Sequence, residues 1–478
     1  MNISLIPNTV HSLFGLSRGP HLSINRRSLG FDVPQKVVFF LIDGLGLDHF
    51  ARYEKPIKFL RHLATRGNVQ ELTTVFPSTT AAALTTLHTN RTPLEHGNFE
   101  WHWHYAKANA IIESLPFCIK GDNQDSLYRN GFPAEDLYEG PTLYSELSSE
   151  GIESHAFVVD AFTESTYTRQ VMAGARIHGY THYASLFRQL TSLLQKPGRA
   201  YCFVYLGQLD SKMHKFGPNS GPFIEELEKM DSQFIRFLRN DLPYDTAIMV
   251  SADHGHIGTN PEETIYLDDI PGLFSLFSLQ NGQLMLPGGS PRDVFLYIKK
   301  NSLTKARKLL EKHLPDCTIV PTTELLKHHW LGYGKIHPQL LSRLGNLVIL
   351  PVFGHTVWYR HPKKPRFTHR GMHGGLSIHE MQIPFVMLGK PGFLAGAPQP
   401  IGASFAKRTN PALSENPPEG FALFPTPAAI LPQPPENPSE RIAAAAAPES
   451  PAVSSTPDPL VLAPVAIVPV VPHPHPID

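Results

Sequence analysis

Cysteine is scarce: three residues in 478, Cys118, Cys202 and Cys317. So few and so scattered, they supply neither a disulfide framework nor a thiolate zinc site. A surplus of charge is also missing, since 42 Lys and Arg balance 42 Asp and Glu. A dedicated nucleic-acid binder carries a basic excess, so binding of a nucleic-acid polymer is not expected, whereas a small phosphorylated substrate remains open. No stretch reaches the ~18 uninterrupted apolar residues of a membrane span. The N-terminus, MNISLIPNTVHSLFGLSRGP, lacks the basic start and apolar block of a secretory signal. The expected location is therefore cytoplasmic, with signal-independent export left open.

Proline and histidine, by contrast, are plentiful, at 45 and 25 residues. Of the prolines, 21 lie beyond residue 390, together with an alanine run at 443–447. Proline at this density blocks helices and central strands, so 391–478 is expected to be a disordered, Pro/Ala-rich tail. Its partner, if it has one, is not readable. The body alternates apolar runs with helical patterns: KVVFFLID (36–43), SHAFVVD (154–160), RAYCFVYLGQLD (199–210), TAIMVSADHGH (246–256) and MQIPFVMLG (381–389). Strand–helix–strand alternation of this kind predicts an α/β fold, with a mostly parallel central sheet covered by helices on both faces. From 257 to 365 the pattern is irregular and suggests a smaller inserted cap. The expected division is thus 30–256 plus 366–390 as the catalytic domain, 257–365 as the insertion, and 391–478 as the tail.

Three apolar runs end in an acid followed by polar and glycine residues: Asp43 in LIDGLG, Asp210 in YLGQLDSKMHKFG and Asp253 in VSADHGH. An open parallel sheet binds its ligands beyond the carboxyl ends of its strands, which would bring these acids together. Adjacent carboxylates repel, and bound cations are the usual remedy. His214, four residues after Asp210, His254, next to Asp253, and His373, in GMHGG, add imidazole donors. Carboxylates mixed with imidazoles, without thiols, suit Zn²⁺ rather than Ca²⁺ or Mg²⁺. Taken singly, each acid reads as a cap and each histidine as a packing residue; their coincidence is the signal. The GxG of LIDGLG lacks the third glycine of a dinucleotide fingerprint.

TTVFPSTTAAALTTLHTN (73–90) sets a Ser/Thr cluster before a helix-forming run. Ser78 or Thr79 is expected to cap that helix. A hydroxyl at a helix N-terminus also sits in positive potential and suits a nucleophile beside metals. Together, LIDG, this helix with TNRTPLEHG (89–97), DSKMHKFGP (210–218), ADHG and the late HGG resemble the alkaline phosphatase superfamily. Within it they are most similar to the nucleotide pyrophosphatase/phosphodiesterase branch, whose D-S-x-G-H-x-x-G-P differs here only at Met213.

The resemblance implies an alkaline-phosphatase-like fold and two divalent metal ions, most simply Zn²⁺. Asp43, Asp253 and His254 would hold one, and Asp210, His214 and His373 the other. Aligned on the family's T-F-P-N-x-x-S-x-x-T-G, Thr80 takes the place of the nucleophile, which also ligates metal, with Thr79 as runner-up. Alanines 81–83 replace the family's Phe-Pro-Asn. Using the upstream Phe76-Pro77 instead would put the unreactive Val75 in the nucleophile's place. The family's phosphate-binding Asn aligns with Trp101, and Trp101 and the nearby Asn98 are the residues expected to bind substrate. His256 is a further departure, assigned no ligand role. FEWHWHY (99–105) is either an aromatic packing loop or a surface for a base or lipid-like group. The implied activity is hydrolysis of phosphodiester or nucleotide pyrophosphate bonds through a phosphothreonyl intermediate. The alternatives are a phosphomonoesterase on the same scaffold and a non-catalytic member acting through protein interaction. The absence of C-x-P-S-R argues against a sulfatase.

Overall fold

Seven strands form the central sheet of the computed structural model, which describes residues 1–24 and 29–389. The tail expected over 391–478 lies outside the described residues. The strands are β1 (Lys36–Ile42), β2 (Asn68–Thr73), β3 (Glu153–Val159), β4 (Arg176–Tyr180), β5 (Ala200–Leu206), β6 (Thr246–Ser251) and β7 (Gln382–Leu388). Their order is β2-β7-β6-β1-β5-β3-β4. β1 pairs in parallel with β5 and β6, and β3 pairs in parallel with β5 and β4. β7 runs antiparallel to both β6 and β2, so it alone opposes the direction of the sheet.

β1 is buried at all seven positions, as a strand covered on both faces must be. Successive side chains leave a strand on opposite faces. Phe40 accordingly packs at 4.6 Å from Phe234 and 6.0 Å from Phe187, on helices Gly221–Arg236 and Tyr183–Leu194. Phe39 turns the other way onto Phe203, which meets His88 of helix Thr80–Thr89 at 4.7 Å. Each such ring, fully buried, contributes about 1.5–3 kcal/mol. The sequence pattern did not foretell helix Ile6–Leu13, whose Ile6, Val10 and Leu13 join the same core.

Register carries the functional consequence. Ile42 lies opposite Leu206, and Leu41 opposite Ser251, so β1, β5 and β6 finish at one level. Whatever follows their carboxyl ends converges there. A smaller antiparallel sheet of four strands, Gly288–Ser290, Asp293–Leu296, Leu347–Pro351 and Cys317–Pro321, forms within the irregular stretch. Helix Leu303–His313 covers it with Ala306 and Leu310, building a separate core with Leu296, Ile319 and Ile349. The aromatic run contributes strand His102–Tyr105 to a further sheet, and Trp103 and Tyr105 within it and Phe99 before it are buried. Trp103 lies under the Arg343 guanidinium at 4.1 Å and donates its Nε1–H to Asn98. These three rings are packing residues. Among the described residues no helix is long and apolar enough to cross a membrane, and the three cysteines are free thiols.

Candidate metal and nucleophile site

Asp43 follows β1 directly and turns into Gly44, whose φ of 75° favours glycine. The Gly44 amide donates to Asp253 Oδ1 at 3.1 Å, tying the ends of β1 and β6 together. Gly255, in ADHG, passes so close to the His379 carbonyl that a Cβ would lie 1.9 Å from its oxygen. Asp210 differs from the expectation of a strand-end acid. It sits in the first turn of helix Gln208–Phe216, and helical i,i+4 spacing sets His214 on its face. The GMHGG loop approaches last. Ser78 accepts from the Gly374 amide at 3.1 Å and donates to the Gly375 carbonyl at 2.8 Å, while its own carbonyl meets His373 Nδ1 at 2.9 Å.

These elements bring all the expected donors together. His254 Nε2 lies 3.1 Å from Thr80 Oγ1, 3.3 Å from Asp43 Oδ1 and 3.5 Å from Asp253 Oδ2. Asp210 Oδ1 lies 3.4 Å from His214 Nε2 and 3.7 Å from His373 Nε2. The His254 and His373 rings stack at 3.6 Å and join the two groups. His256, given no ligand role by the sequence pattern, also faces Asp210 Oδ1, at 3.2 Å.

The electrostatics are those of a cation site. Asp43 Oδ1, Asp210 Oδ1 and Asp253 Oδ2 are buried without a hydrogen bond. Burial, then Asp253 and Asp210, hold the Asp43 carboxyl well above its usual range. Burial pushes Asp210 up too, but His214, His256 and His373 together outweigh it and hold that carboxyl well below. The Nδ1 atoms of His214, His254 and His373 each meet a backbone carbonyl, of Gly371, Gly255 and Ser78 respectively. A carbonyl only accepts, so each Nδ1 carries a proton and Nε2 is the nitrogen turned inward. Outer hydrogen bonds of this kind orient metal-ligating histidines. The carboxylates and inward nitrogens fit divalent cations. Two sets of donors lie within reach of one another: Asp43, Asp210 and His254, and Asp210, His214, His256 and His373.

Thr80 is the first residue of helix Thr80–Thr89, and Thr79 holds the cap position. The expected side-chain cap is absent: Thr79 makes no capping bond, its Oγ1 is buried without a partner, and Ser78 is spent on the GMHGG loop. An uncapped N-terminus leaves its amides to an anion. The Asn98 side chain is held in the core. Its Nδ2 donates to Thr85 and its Oδ1 accepts from Trp103, both in the core, so internal bonds take up the side chain expected to meet phosphate. Trp101 stands half-buried, its carbonyl accepting from the Ser114 amide at 2.8 Å.

No curated protein matches the chain. Among solved structures, murine ectonucleotide pyrophosphatase/phosphodiesterase 5 is similar at 17% identity and a TM-score of 0.54, with 74% of this chain and 88% of that one covered. An inactive threonine-to-alanine variant of the murine protein, in complex with AMP, matches at 16% identity, a TM-score of 0.55 and the same coverage. The human counterpart gives 15%, 0.53 and again the same coverage. At such identities these likenesses speak for the fold, which is that of alkaline phosphatase relatives. The family model described as type I phosphodiesterase/nucleotide pyrophosphatase matches residues 37–376, most of the sequence and every donor named above. The chain belongs to the type I phosphodiesterase/nucleotide pyrophosphatase family of hydrolases.

Proposed function

We propose that the chain hydrolyses a small phosphodiester or nucleotide pyrophosphate through a phosphothreonyl intermediate on Thr80, at a site for two divalent cations, most simply Zn²⁺. The observation that carries this reading is the position of Thr80 Oγ1. It lies at an uncapped helix N-terminus, 3.1 Å from His254 Nε2 and beside carboxylate oxygens that have no hydrogen bond. Asp43, Asp253, His254 and Thr80 would hold one ion, and Asp210, His214 and His373 the other. Bound there, the cations supply Lewis acidity, lowering the pKa of the hydroxyl and offsetting charge on the leaving oxygen.

The residues do the rest. Thr80 Oγ1 loses its proton and attacks phosphorus in line. An Oγ–P bond forms as the P–O bond to the leaving group breaks, and the leaving oxygen departs with the electron pair and takes up a proton. The amides of the first turn face the phosphoryl oxygens as charge builds on them. Water then cleaves the Oγ–P bond, freeing the phosphomonoester and restoring the threonine. AMP bound to the inactive murine relative supports a nucleotide-type substrate. The half-buried Trp101 ring is the remaining candidate to meet its base.

Hydrolysis of an aryl phosphodiester and an aryl phosphomonoester by the zinc-loaded chain tests this. Faster turnover of the diester supports the reading, and preference for the monoester favours a phosphomonoesterase. Thr80→Ala should abolish turnover while leaving metal content unchanged. Unchanged activity would remove Thr80 as nucleophile, and no turnover of either ester by the wild-type chain would favour the non-catalytic alternative.

A further inference from the structure

The Asp210 group contains one donor too many for the ligand set that family resemblance implies. We propose that His256 is its fourth protein ligand, so that the metal at Asp210, His214 and His373 is held by four side chains and would meet substrate only as a fifth partner. This inference rests on the two-metal reading above.

Distances carry it. Donors bonded at 2.0–2.1 Å to one tetrahedral ion stand about 3.3–3.4 Å apart. Asp210 Oδ1 is 3.4 Å from His214 Nε2, 3.2 Å from His256 Nε2 and 3.7 Å from His373 Nε2, and the last lies 3.2 Å from His214 Nε2. Those are four of the six edges of a tetrahedron, and the one His256 supplies equals the His214–His373 edge and fits better than Asp210–His373. The His256 ring centroid lies 4.8 Å from that of His214 and 5.4 Å from that of His373. The second observation is independent of these lengths. His256 is 3% exposed, and neither of its ring nitrogens makes a hydrogen bond. A neutral imidazole buried in that condition costs about 1–3 kcal/mol for each unsatisfied group, unless a ligand takes the lone pair.

The competing role is an outer hydrogen bond from His256 to the Asp210 carboxylate. The two atoms are close enough for the contact to help hold the Asp210 carboxyl down, yet it leaves Nδ1 of His256 buried with no partner. His256 also lacks the carbonyl that orients His214, His254 and His373. Packing holds its ring instead, since a Cβ on Gly371 would lie 2.8 Å from His256 Cε1. The consequence is an asymmetry. Around His254 the fourth donor is the reacting hydroxyl of Thr80, whereas around Asp210 it is an inert imidazole. The Asp210 metal should therefore be the retained one and the Asp43 metal the exchangeable one.

The test is zinc retention by the full-length chain, read by elemental analysis during titration with a chelator. The wild type is expected to hold two equivalents and to release them in two separated steps. In His256→Leu the tighter step should weaken by at least 10–100-fold, the range for loss of an outer-sphere partner. His256→Gln keeps an amide able to donate to Asp210 but no imidazole, so it should weaken binding equally. Restoration of wild-type retention by Gln, or two bound zincs with unchanged affinity in both variants, overturns this inference and leaves the two-metal reading intact. Wild-type protein that binds no zinc overturns both. If the Leu and Gln variants fail to fold, X-ray absorption on His254→Ala, confined to the Asp210 site, counts the imidazoles directly: three support the inference and two defeat it.

Discussion

The two donor groups sit a few ångströms apart at one end of the sheet, yet they are built differently. Asp43 and Asp253 leave the ends of two neighbouring parallel strands, and their group is completed by an imidazole and by a hydroxyl from a helix N-terminus. The other group hangs on one helix, one loop after β6 and the GMHGG loop, and is imidazole-rich. The charge states follow. Asp43 faces other carboxylates, and its carboxyl is held up; Asp210 faces histidines, and its carboxyl is held down. One group is a strained pair of anions that needs a cation and presents a nucleophile. The other is a carboxylate ringed by imidazoles.

The largest effect that would break this comparison lies at Thr80. Its replacement by Ala should lower the rate of diester hydrolysis by about 10⁴-fold or more, since losing a covalent nucleophile has costs of that order. Zinc content should stay at two equivalents, because the carboxylates and His254 remain. Loss of one equivalent along with activity would mean that the hydroxyl is chiefly a ligand.

Next come the groups that hold the ligands. Ser78→Ala removes two of the bonds fixing the GMHGG loop and so loosens His373, on the Asp210 side. Tyr205→Phe removes the hydroxyl donated to Asp43 Oδ2, on the other. Each should weaken one zinc step by about 10–100-fold and leave the other step in place. A chelator titration separates the two cases, and equal weakening of both steps by either variant would show that the groups act as one.

These helpers mark where sequence reading stops. Asp43, Asp210, His214, Asp253, His254 and His373 were legible because strand-end acids and histidines at close spacing carry local pattern, and parallel topology says where they meet. Thr80 followed from aligning one motif. Ser78 was expected to cap a helix; that it clasps a loop 296 residues away depends on a tertiary contact with no local signature. His256 was undervalued because only its distance to Asp210 distinguishes it from a packing histidine. Asn98 rests on its proximity to a motif, which says nothing about the core partners that take up its amide. Lost periodicity set the stretch 257–365 apart, but the antiparallel order of its four-stranded sheet comes from long-range pairing.

Buried histidines away from the cluster set the acid limit against which metal loss must be read. Burial lowers His88 and His96 to about 3, and His96 Nδ1 accepts from the Asn98 amide, so protonation there breaks a bond. Their unfolded value is near 6.5. A depressed folded pKa means the stabilisation is complete above about 6.5 and declines as pH falls towards about 3. Each of the two costs up to about 1.4 kcal/mol per pH unit across that window. Thermal unfolding should thus occur at progressively lower temperature from pH 6.5 to 4, even in metal-free protein. A flat profile would show that the unfolded chain does not take up those protons.

The smallest effect is also the sharpest on the comparison, because it needs no metal. In the metal-free chain at neutral pH, burial beside Asp253 and Asp210 makes an ionised Asp43 a cost to folding. Asp43→Asn removes the charge, keeps an acceptor for Tyr205 and should raise the melting temperature by a few degrees, on the order of 1 kcal/mol. Asp210→Asn removes an anion that His214, His256 and His373 favour, so it should leave the melting temperature unchanged or lower. The sign with pH follows. The raised carboxyl of Asp43 penalises the fold increasingly as pH climbs above the ordinary carboxylate range, so the gain from Asp43→Asn should shrink on acidification. Differential scanning of the chelated proteins measures both. If the two variants shift the melting point in the same direction, the charges at the two groups are balanced alike, and the contrast between an anion pair and a carboxylate ringed by imidazoles fails.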